Sequence, residues 1–371
     1  MKVGIPSEVK NNEFRVAITP AGVHELVRHG HEVYVQQGAG LGSSITDAEY
    51  VAAGGAILPT ADEVWAIADL LLKVKEPIEE EYHRLRKDQT LFTYLHLAAS
   101  RPCIDALIAS GTTAIAYETV ETADRRLPLL APMSEVAGRL APQVGAYHLM
   151  RAAGGRGVLP GGVPGVAAGK AVVIGGGVSG WNATQIAVGM GFHVTLLDRD
   201  INKLKEADKV FGTKVQTVVS NSFELERACL EADLVIGAVL IPGAKAPKLV
   251  TNELVSRMKP GSVLVDIAID QGGCFEDSHP TTHAEPTFQV HNSVFYCVAN
   301  MPGAVPNTST HALTNATLPY ILELADRGWA EALRRDAALA KGLNTHDGKV
   351  VYREVAEAHG LEHTELSALL G

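Results

Sequence analysis

Gly175, Gly177 and Gly180 stand in GxGxxG spacing within VVIGGGVSG, directly after an apolar strand pattern and at the start of a helical one. Such a turn suits a dinucleotide. The first glycine permits the tight turn, the second lets backbone approach a pyrophosphate, and the third lets helix pack on strand. The helix N-terminus supplies unpaired N–H groups and the positive end of its dipole. The next strand pattern, HVTLL, ends in Asp198. A carboxylate there accepts hydrogen bonds from the adenosine ribose hydroxyls and repels a 2′-phosphate, which favours NAD over NADP. Arg199 beside it argues the other way if it turns inward, and a structural glycine turn with a solvated Asp198 is the plainer alternative.

The ligand crevice of an open α/β sheet lies outside the carboxyl ends of its strands, and that rule selects polar residues elsewhere. Lys75 ends LLLKVK, His96 follows TLFTYL, Glu118 follows TTAIAY, Asp270 follows VLVDIAI and Asn300 ends VFYCVA. Arg15 lies in the polar loop KNNEFRVAITP after the first strand pattern. A guanidinium fork and an ammonium both complement a small carboxylate, each charged hydrogen bond contributing roughly 1.5 to 3 kcal/mol, so Arg15 and Lys75 are candidate anchors. His96 suits proton transfer because its ordinary pKa lies near neutrality. Each residue also has a bland use: Arg15 as a surface arginine, Lys75 as a solvated strand end, His96 as one of 14 histidines, Asp270 as a loop carboxylate.

Short β-branched runs alternate with helical patterns from the start of the chain. KVGIPSEV (2–9), EVYVQQ, LLLKVK (70–75), TLFTYL (90–95) and TTAIAYETV (112–120) read as strands. TPAGVHELVRHG (19–30) reads as a helix capped by Thr19, with Pro20 in its first turn and Gly30 as its stop. TDAEYVAAG (46–54) opens on a Thr46–Glu49 capping box. PIEEEYHRLR (77–86) and SRPCIDALIASG (100–111) complete the helices of this part. The alternation implies a parallel sheet wrapped on both faces. Residues 131–152 read as a helix despite Pro142, GGRGVLPGGVPG as loop, and a second βα series runs from 170 to 300. The tail, with THALTNATLPYILELADRG (310–328), reads as helical and as packing back on the first domain.

With 371 residues, 46% of them hydrophobic, the chain has material for two cores of ordinary domain size. Its net charge of −10, from 42 acidic against 32 basic side chains without a long single-sign block, argues against nucleic acid as a partner. MKVGIPSEVK meets charge and proline before any apolar run, so no secretory signal is expected, and the uncharged stretch 157–169 is broken by glycines and prolines, so no membrane span is expected either. A cytoplasmic enzyme fits. Cys103, Cys229, Cys274 and Cys297 form no metal-ligating pattern and suggest reduced thiols.

At these residues the sequence resembles the alanine dehydrogenase family over essentially its whole length. The segments that carry the likeness are VGIPSEVKNNEFRVAITPAGV, LLKVKEP, LHLAAS, APMSEVAGR, GGRGVLPGGVPGV, DLVIGAVLIPGAKAPKLV, VLVDIAIDQGGCFE and YCVANMPGAVPNTST. The resemblance implies two Rossmann-like, doubly wound parallel-sheet domains of α/β class, the dinucleotide-binding domain inserted into the substrate domain. It implies a substrate domain begun by residues 1–128 and completed by helices in 307–371, with the NAD-binding domain at 129–306.

It further implies Arg15 and Lys75 as binders of the substrate carboxylate and His96 and Asp270 as the catalytic pair. Gly175, Gly177, Gly180 and Asp198 would hold NAD, with Ser134, Lys203 and Ser220 as added contacts. The backbone after Ile267, Asp270 itself, and the region of Asn300 and Met301 would line the nicotinamide. Some members of the family hold a divalent ion on a Glu and a His one helical turn apart; here Glu323 is followed by Arg327, so no metal is expected. The implied reaction converts L-alanine, water and NAD to pyruvate, ammonium and NADH, in a homohexamer, with glycine, serine or glyoxylate as possible side substrates. Two other functions fit the same scaffold: the nucleotide-binding portion of a transhydrogenase, and a non-catalytic NAD-binding sensor.

Overall fold

The computed structural model describes residues 1–239 and 246–370, and of Gln271 the backbone alone. The stretch LIPGAK, within the segment DLVIGAVLIPGAKAPKLV that carries part of the resemblance, lies outside the described residues. In chain order the strands are β1 (Lys2–Ile5), β2 (Glu32–Gln36), β3 (Ala56–Leu58), β4 (Leu70–Leu72), β5 (Thr90–Thr93) and β6 (Thr113–Ala116). There follow β7 (Lys170–Ile174), β8 (His193–Asp198), β9 (Val215–Val219), β10 (Leu234–Gly237), β11 (Val263–Asp266), β12 (Thr287–Val290) and β13 (Ser293–Tyr296). The tail contributes β14 (Leu343–His346) and β15 (Lys349–Val350).

The chain divides into two compact units, Met1–Met133 with Val305–Gly371, and Ser134–Ala304. Each is built on one sheet. The first sheet has the order β15-β14-β6-β5-β4-β1-β2-β3, the second β12-β13-β11-β10-β7-β8-β9. Both therefore wind outward from their first strand in two directions, the arrangement of a doubly wound Rossmann-like sheet. The order reverses between β1 and β4 in one unit and between β7 and β10 in the other. Antiparallel pairing is confined to one edge of each sheet, where β14 pairs with β6 and β15, and β12 with β13.

The inner strands are apolar throughout because helices cover both faces. Leu70, Leu71 and Leu72 are fully buried, as are Leu234, Val235 and Ile236 on β10 and Val263, Leu264 and Val265 on β11. Local signals set the ends of the helices. Thr19 accepts from the Gly22 N–H at the start of the helix Pro20–Arg28, and Gly30 leaves it with φ of 84°. Thr46 and Glu49 form the expected capping box of Asp47–Ala52.

Several elements are shorter than their sequence patterns. β1 stops at Ile5 because Pro6 has no N–H for the ladder. β4 stops at Leu72, so Lys75 stands in the loop beyond it. PIEEEYHRLR forms a 3₁₀ helix, Glu79–Arg84, and not an α-helix. Its Glu81 is drawn inward to the Lys73 ammonium at 2.9 Å and back to the Ile78 N–H at 3.2 Å, which overrides helical propensity. The tail is not helical alone, since β14 and β15 extend the first sheet. Among the described residues no helix is long and apolar enough to cross a membrane.

Candidate active site

In the first unit the loops leaving β1 and β4 emerge at the strand-order reversal, where a doubly wound sheet opens a crevice. Glu8, three residues past β1, reaches across it. Its Oε1 accepts the Val74 N–H at 2.6 Å, and its Oε2 accepts the Lys75 N–H at 3.3 Å and the Lys73 Nζ at 3.2 Å. Lys73 is wholly buried between Glu8 and Glu81. Burial pulls the Lys73 ammonium down, but the two carboxylates outweigh it and hold the group above its ordinary value. Burial also pushes the Glu8 carboxyl up, only partly offset by Lys73.

Arg15 is buried on the same loop as Glu8. Its Nε donates to Glu13 Oε1 at 2.7 Å and its Nη2 to Glu13 Oε2 at 2.6 Å, while Nη1 approaches Met133 Sδ at 3.0 Å. Glu13 Oε1 also accepts the Arg15 main-chain N–H at 3.1 Å, so one carboxylate fixes both the backbone and the guanidinium. Burial works against the charge, and Glu13, with Tyr94 and Glu8 behind it, holds Arg15 above its ordinary value.

His96 begins the loop after β5 with φ 47° and ψ 37°, the left-handed region that a residue with a Cβ enters only under constraint. The constraint is Glu118. Its Oε1 accepts the His96 N–H at 2.6 Å and the Leu95 N–H at 3.1 Å, and the same oxygen lies 4.0 Å from His96 Nδ1. The imidazole stacks on the Tyr94 ring with centroids 5.9 Å apart, and Tyr94 donates its hydroxyl to the Leu129 carbonyl at 2.6 Å. Arg15, Lys75 and His96 are thus gathered at the carboxyl ends of β1, β4 and β5, linked through Glu8 and Tyr94. Glu8, Glu13, Lys73 and Glu81 escape the sequence analysis. The available signal was an acid two residues before Arg15 and another just past β1.

In the second unit the three glycines have three distinct reasons. Gly175 has φ of 100°, and a Cβ there would meet the Ala238 carbonyl oxygen at 2.8 Å. A Cβ on Gly180 would lie 1.7 Å from the Gly175 carbonyl oxygen, so helix and turn touch only because it is absent. At Gly177 a Cβ would meet nothing within 4 Å. The helix Val178–Gly189 starts there without a side-chain cap, an end of the kind that suits an anion.

Asp198 ends β8 with Oδ2 accepting the Gly176 N–H at 2.6 Å and Oδ1 accepting the Asp200 N–H at 2.8 Å. Lys203 Nζ stands 3.5 Å from Oδ2, and the Ser220 N–H donates to the Asp198 carbonyl at 2.9 Å. Asp198, Lys203 and Ser220 therefore form one cluster beside the glycine turn. Ser134 lies one turn before Gly138 on the helix Ala131–His148, and a Cβ on Gly138 would meet the Ser179 carbonyl oxygen at 2.2 Å.

Ile267 to Gln271 form a 3₁₀ turn after β11 with Asp270 exposed upon it. Asn300 is left-handed, with φ of 70°, and its carbonyl is 3.1 Å from His283 Nε2; Met301 beyond it is buried. Glu323 accepts from Arg327 Nε at 2.6 Å on the surface of the long helix Pro306–Arg327. A cavity of about 230 Å³ opens at the other end of β7 and β8, lined by Lys170, His193, Glu224, Arg227 and Glu231 among others. Lys170 is already paired with Glu231 and Arg227 with Glu224, at 2.7 and 2.5 Å, so the chemistry lies at the carboxyl ends.

Two doubly wound units, one with a glycine turn and an acid at the end of the next strand and the other with buried cations at its switch point, define a dinucleotide-dependent enzyme of α/β class. Residues 4–137 match the family model "Alanine dehydrogenase/PNT, N-terminal domain" and residues 141–353 match "Alanine dehydrogenase/PNT, C-terminal domain". The chain belongs to this family. It is 68% identical to an alanine dehydrogenase of Mycolicibacterium smegmatis over 370 residues, covering 100% of both chains. A solved L-alanine dehydrogenase superposes with a TM-score of 0.95 at 51% identity, covering 97% of this chain and 99% of that one. A solved transhydrogenase from Sinorhizobium meliloti superposes with a TM-score of 0.83 at 27% identity, covering 95% of this chain and 100% of that one.

Proposed function

We propose that this chain is an NAD-dependent amino-acid dehydrogenase that interconverts L-alanine, water and NAD with pyruvate, ammonium and NADH. The observation that supports the site assignment is that Arg15, Lys75 and His96 stand in the loops that follow the neighbouring strands β1, β4 and β5, where carboxylates fix the Arg15 guanidinium and the Lys75 and His96 main chains. Arg15 and Lys75 hold the carboxylate of alanine or pyruvate, so that hydride transfer at Cα is effectively intramolecular. Glu13 keeps the Arg15 guanidinium in place while no substrate is bound, and Glu8 fixes the main chain at Lys75.

The residues of the second unit fit a dinucleotide. The open side of Gly177 and the N–H groups of Val178 and its successors receive the pyrophosphate, Asp198 receives the ribose hydroxyls, and Ser134, Lys203 and Ser220 add polar contacts. The backbone after Ile267 and near Asn300 and Met301 borders the nicotinamide. When bound, the cofactor supplies a hydride acceptor at the nicotinamide ring. The substrate amine loses its Cα hydride and becomes an imine, to which water must add and from which ammonia must leave. His96 and Asp270 move the protons that these two steps require.

A transhydrogenase component passes hydride between nucleotides and needs no amino-acid anchors, and Arg15, Lys75 and His96 favour the dehydrogenase. NADH formation from NAD with a panel of amino acids, repeated with NADP, tests the proposal. L-alanine with NAD is expected to give the highest kcat/KM, and Asp198→Gly to lower the preference for NAD. NADH binding without alanine-dependent turnover would leave only a sensor. We also assign the enzyme to the cytoplasm as a homohexamer, which size-exclusion chromatography with light scattering checks for assembly.

A further inference from the structure

The turn that carries Asp270 is fastened at its base by two opposite charges. After the 3₁₀ turn Ile267–Gln271 the chain returns through Gly272 and Gly273, both with positive φ, to Cys274. A Cβ on Gly272 would meet nothing within 4 Å, whereas one on Gly273 would meet Asp266 Oδ2 at 2.6 Å, so packing grips the return only from Gly273 onward. Before that, hydrogen bonds hold it. On one side the buried Asp266 carboxylate accepts the Ala268 N–H at 3.2 Å on Oδ1. Its Oδ2 accepts the Cys274 N–H at 2.8 Å, the Phe275 N–H at 3.3 Å and the Ser278 hydroxyl at 2.5 Å. On the other side Lys248 Nζ donates to the Gly272 carbonyl and, at 2.8 Å, to the Phe275 carbonyl.

One carboxylate and one ammonium thus satisfy the N–H and C=O groups of the same short return. Asp266 pairs with no cation among the described residues, so its charge is spent on this backbone and on the Ser278 hydroxyl. Lys248 is exposed, and among the described residues the two carbonyls are the hydrogen-bond partners of its ammonium. Asp266 ties the start of the turn that carries Asp270 to the return beyond it, and Lys248 fastens that return.

We infer that Lys248 and Asp266 are positioning residues for Asp270, holding the turn so that its carboxylate meets the substrate in one orientation. The inference rests on the assignment of proton transfer to Asp270. Loosening the turn leaves the glycine turn and Asp198 untouched and relaxes only the backbone beside the nicotinamide, so cofactor affinity falls far less than turnover as the proton-transfer geometry degrades, and a misplacement of about 1 Å is enough to cost up to ~10²-fold in rate.

The test uses the full chain and the variants Lys248→Met, Lys248→Arg, Asp266→Asn and Asp270→Asn. Its readouts are kcat and pyruvate KM in NADH-dependent amination, NADH affinity by fluorescence, and Tm. Lys248→Met is expected to lower kcat about tenfold while pyruvate KM, NADH affinity and Tm change little, and Lys248→Arg to restore most of the loss. Asp266→Asn is expected to be worse. Should it fail to fold, the exposed Lys248 variants still decide. Parental kcat in Lys248→Met, no recovery in Lys248→Arg, or a loss matched by weaker NADH binding overturns the inference. Full turnover in Asp270→Asn removes the assignment of Asp270 itself. Loss there beside a parental Lys248→Met removes the clamp alone.

Discussion

The two units hold their loops by opposite means. The turn after β7 is shaped by missing side chains: Gly180 touches the Gly175 carbonyl because neither a Cβ nor anything else intervenes, and Gly177 faces open space. The loops after β1, β4 and β5 are shaped by added ones, with Glu13 on the Arg15 N–H, Glu8 on the Val74 and Lys75 N–H groups, and Glu118 on the Leu95 and His96 N–H groups. The difference follows from the ligand. A pyrophosphate is recognised by main-chain N–H groups, and a carboxylate placed on them would compete with it and repel it. A small carboxylate substrate is recognised by side-chain cations, which when buried need an opposite charge even before the ligand arrives. Asp198 joins the two styles, since it accepts the Gly176 N–H and stands where a neutral ribose is expected.

The sharpest test of the side-chain style is its proton-transfer group. His96→Ala is expected to lower kcat for alanine oxidation by roughly 10² to 10⁴, the usual worth of a positioned acid or base. NADH affinity, measured by fluorescence, should change less than about twofold because the cofactor residues belong to the other unit. Turnover at the parental rate would remove His96 from the chemistry.

The matching test of the backbone style is Gly180→Ala. The new methyl would lie 1.7 Å from the Gly175 carbonyl oxygen, so the turn or the helix must move. Overpacking of this kind costs about 1 to 3 kcal/mol or more, and Tm and NADH affinity should fall together. A variant that binds NADH as the parent does would show that the helix need not touch the turn.

Glu118→Gln asks how much the carboxylate contributes at His96. The amide keeps one acceptor oxygen where the carboxylate serves the 2.6 and 3.1 Å N–H bonds, and it loses the charge near Nδ1. About a tenfold fall in kcat is expected, since the imidazole loses the charge that stands 4.0 Å from Nδ1. Parental kcat with reduced Tm alone would make Glu118 a backbone support and nothing more.

Much of this was legible in the sequence, and for identifiable reasons. The glycine turn, its flanking strands, the caps at Thr19 and Thr46 and the doubly wound class are local or periodic signals, and each appears where the pattern put it. Lengths were less legible. Pro6 ends β1 early, and β4 gives way to a loop at Lys73 because that ammonium turns to Glu8 and Glu81, contacts separated by 65 and 8 positions that no local pattern encodes. The left-handed backbone of His96 is equally silent, since it is imposed by Glu118 from the end of another strand. Position at strand ends pointed to Arg15, Lys75 and His96, but the acids that fix them are ordinary surface residue types until the fold buries them.

Gly177→Ala separates the two halves of the glycine argument and carries the smallest structural effect. Its φ of −71° suits any residue, and no atom lies within 4 Å of the new methyl, so the substitution costs the fold nothing by strain or clash. Stability should change by no more than the ~0.5 kcal/mol typical of an innocuous surface change, so Tm should barely move. NADH affinity should still fall, because the methyl occupies the space through which backbone approaches the pyrophosphate. Gly180→Ala would then lose stability and binding together, and Gly177→Ala binding alone. If Gly177→Ala binds NADH undiminished, the open side of that residue is not where the pyrophosphate lies, and the anion must be held from the Lys203 and Ser220 side of the turn instead.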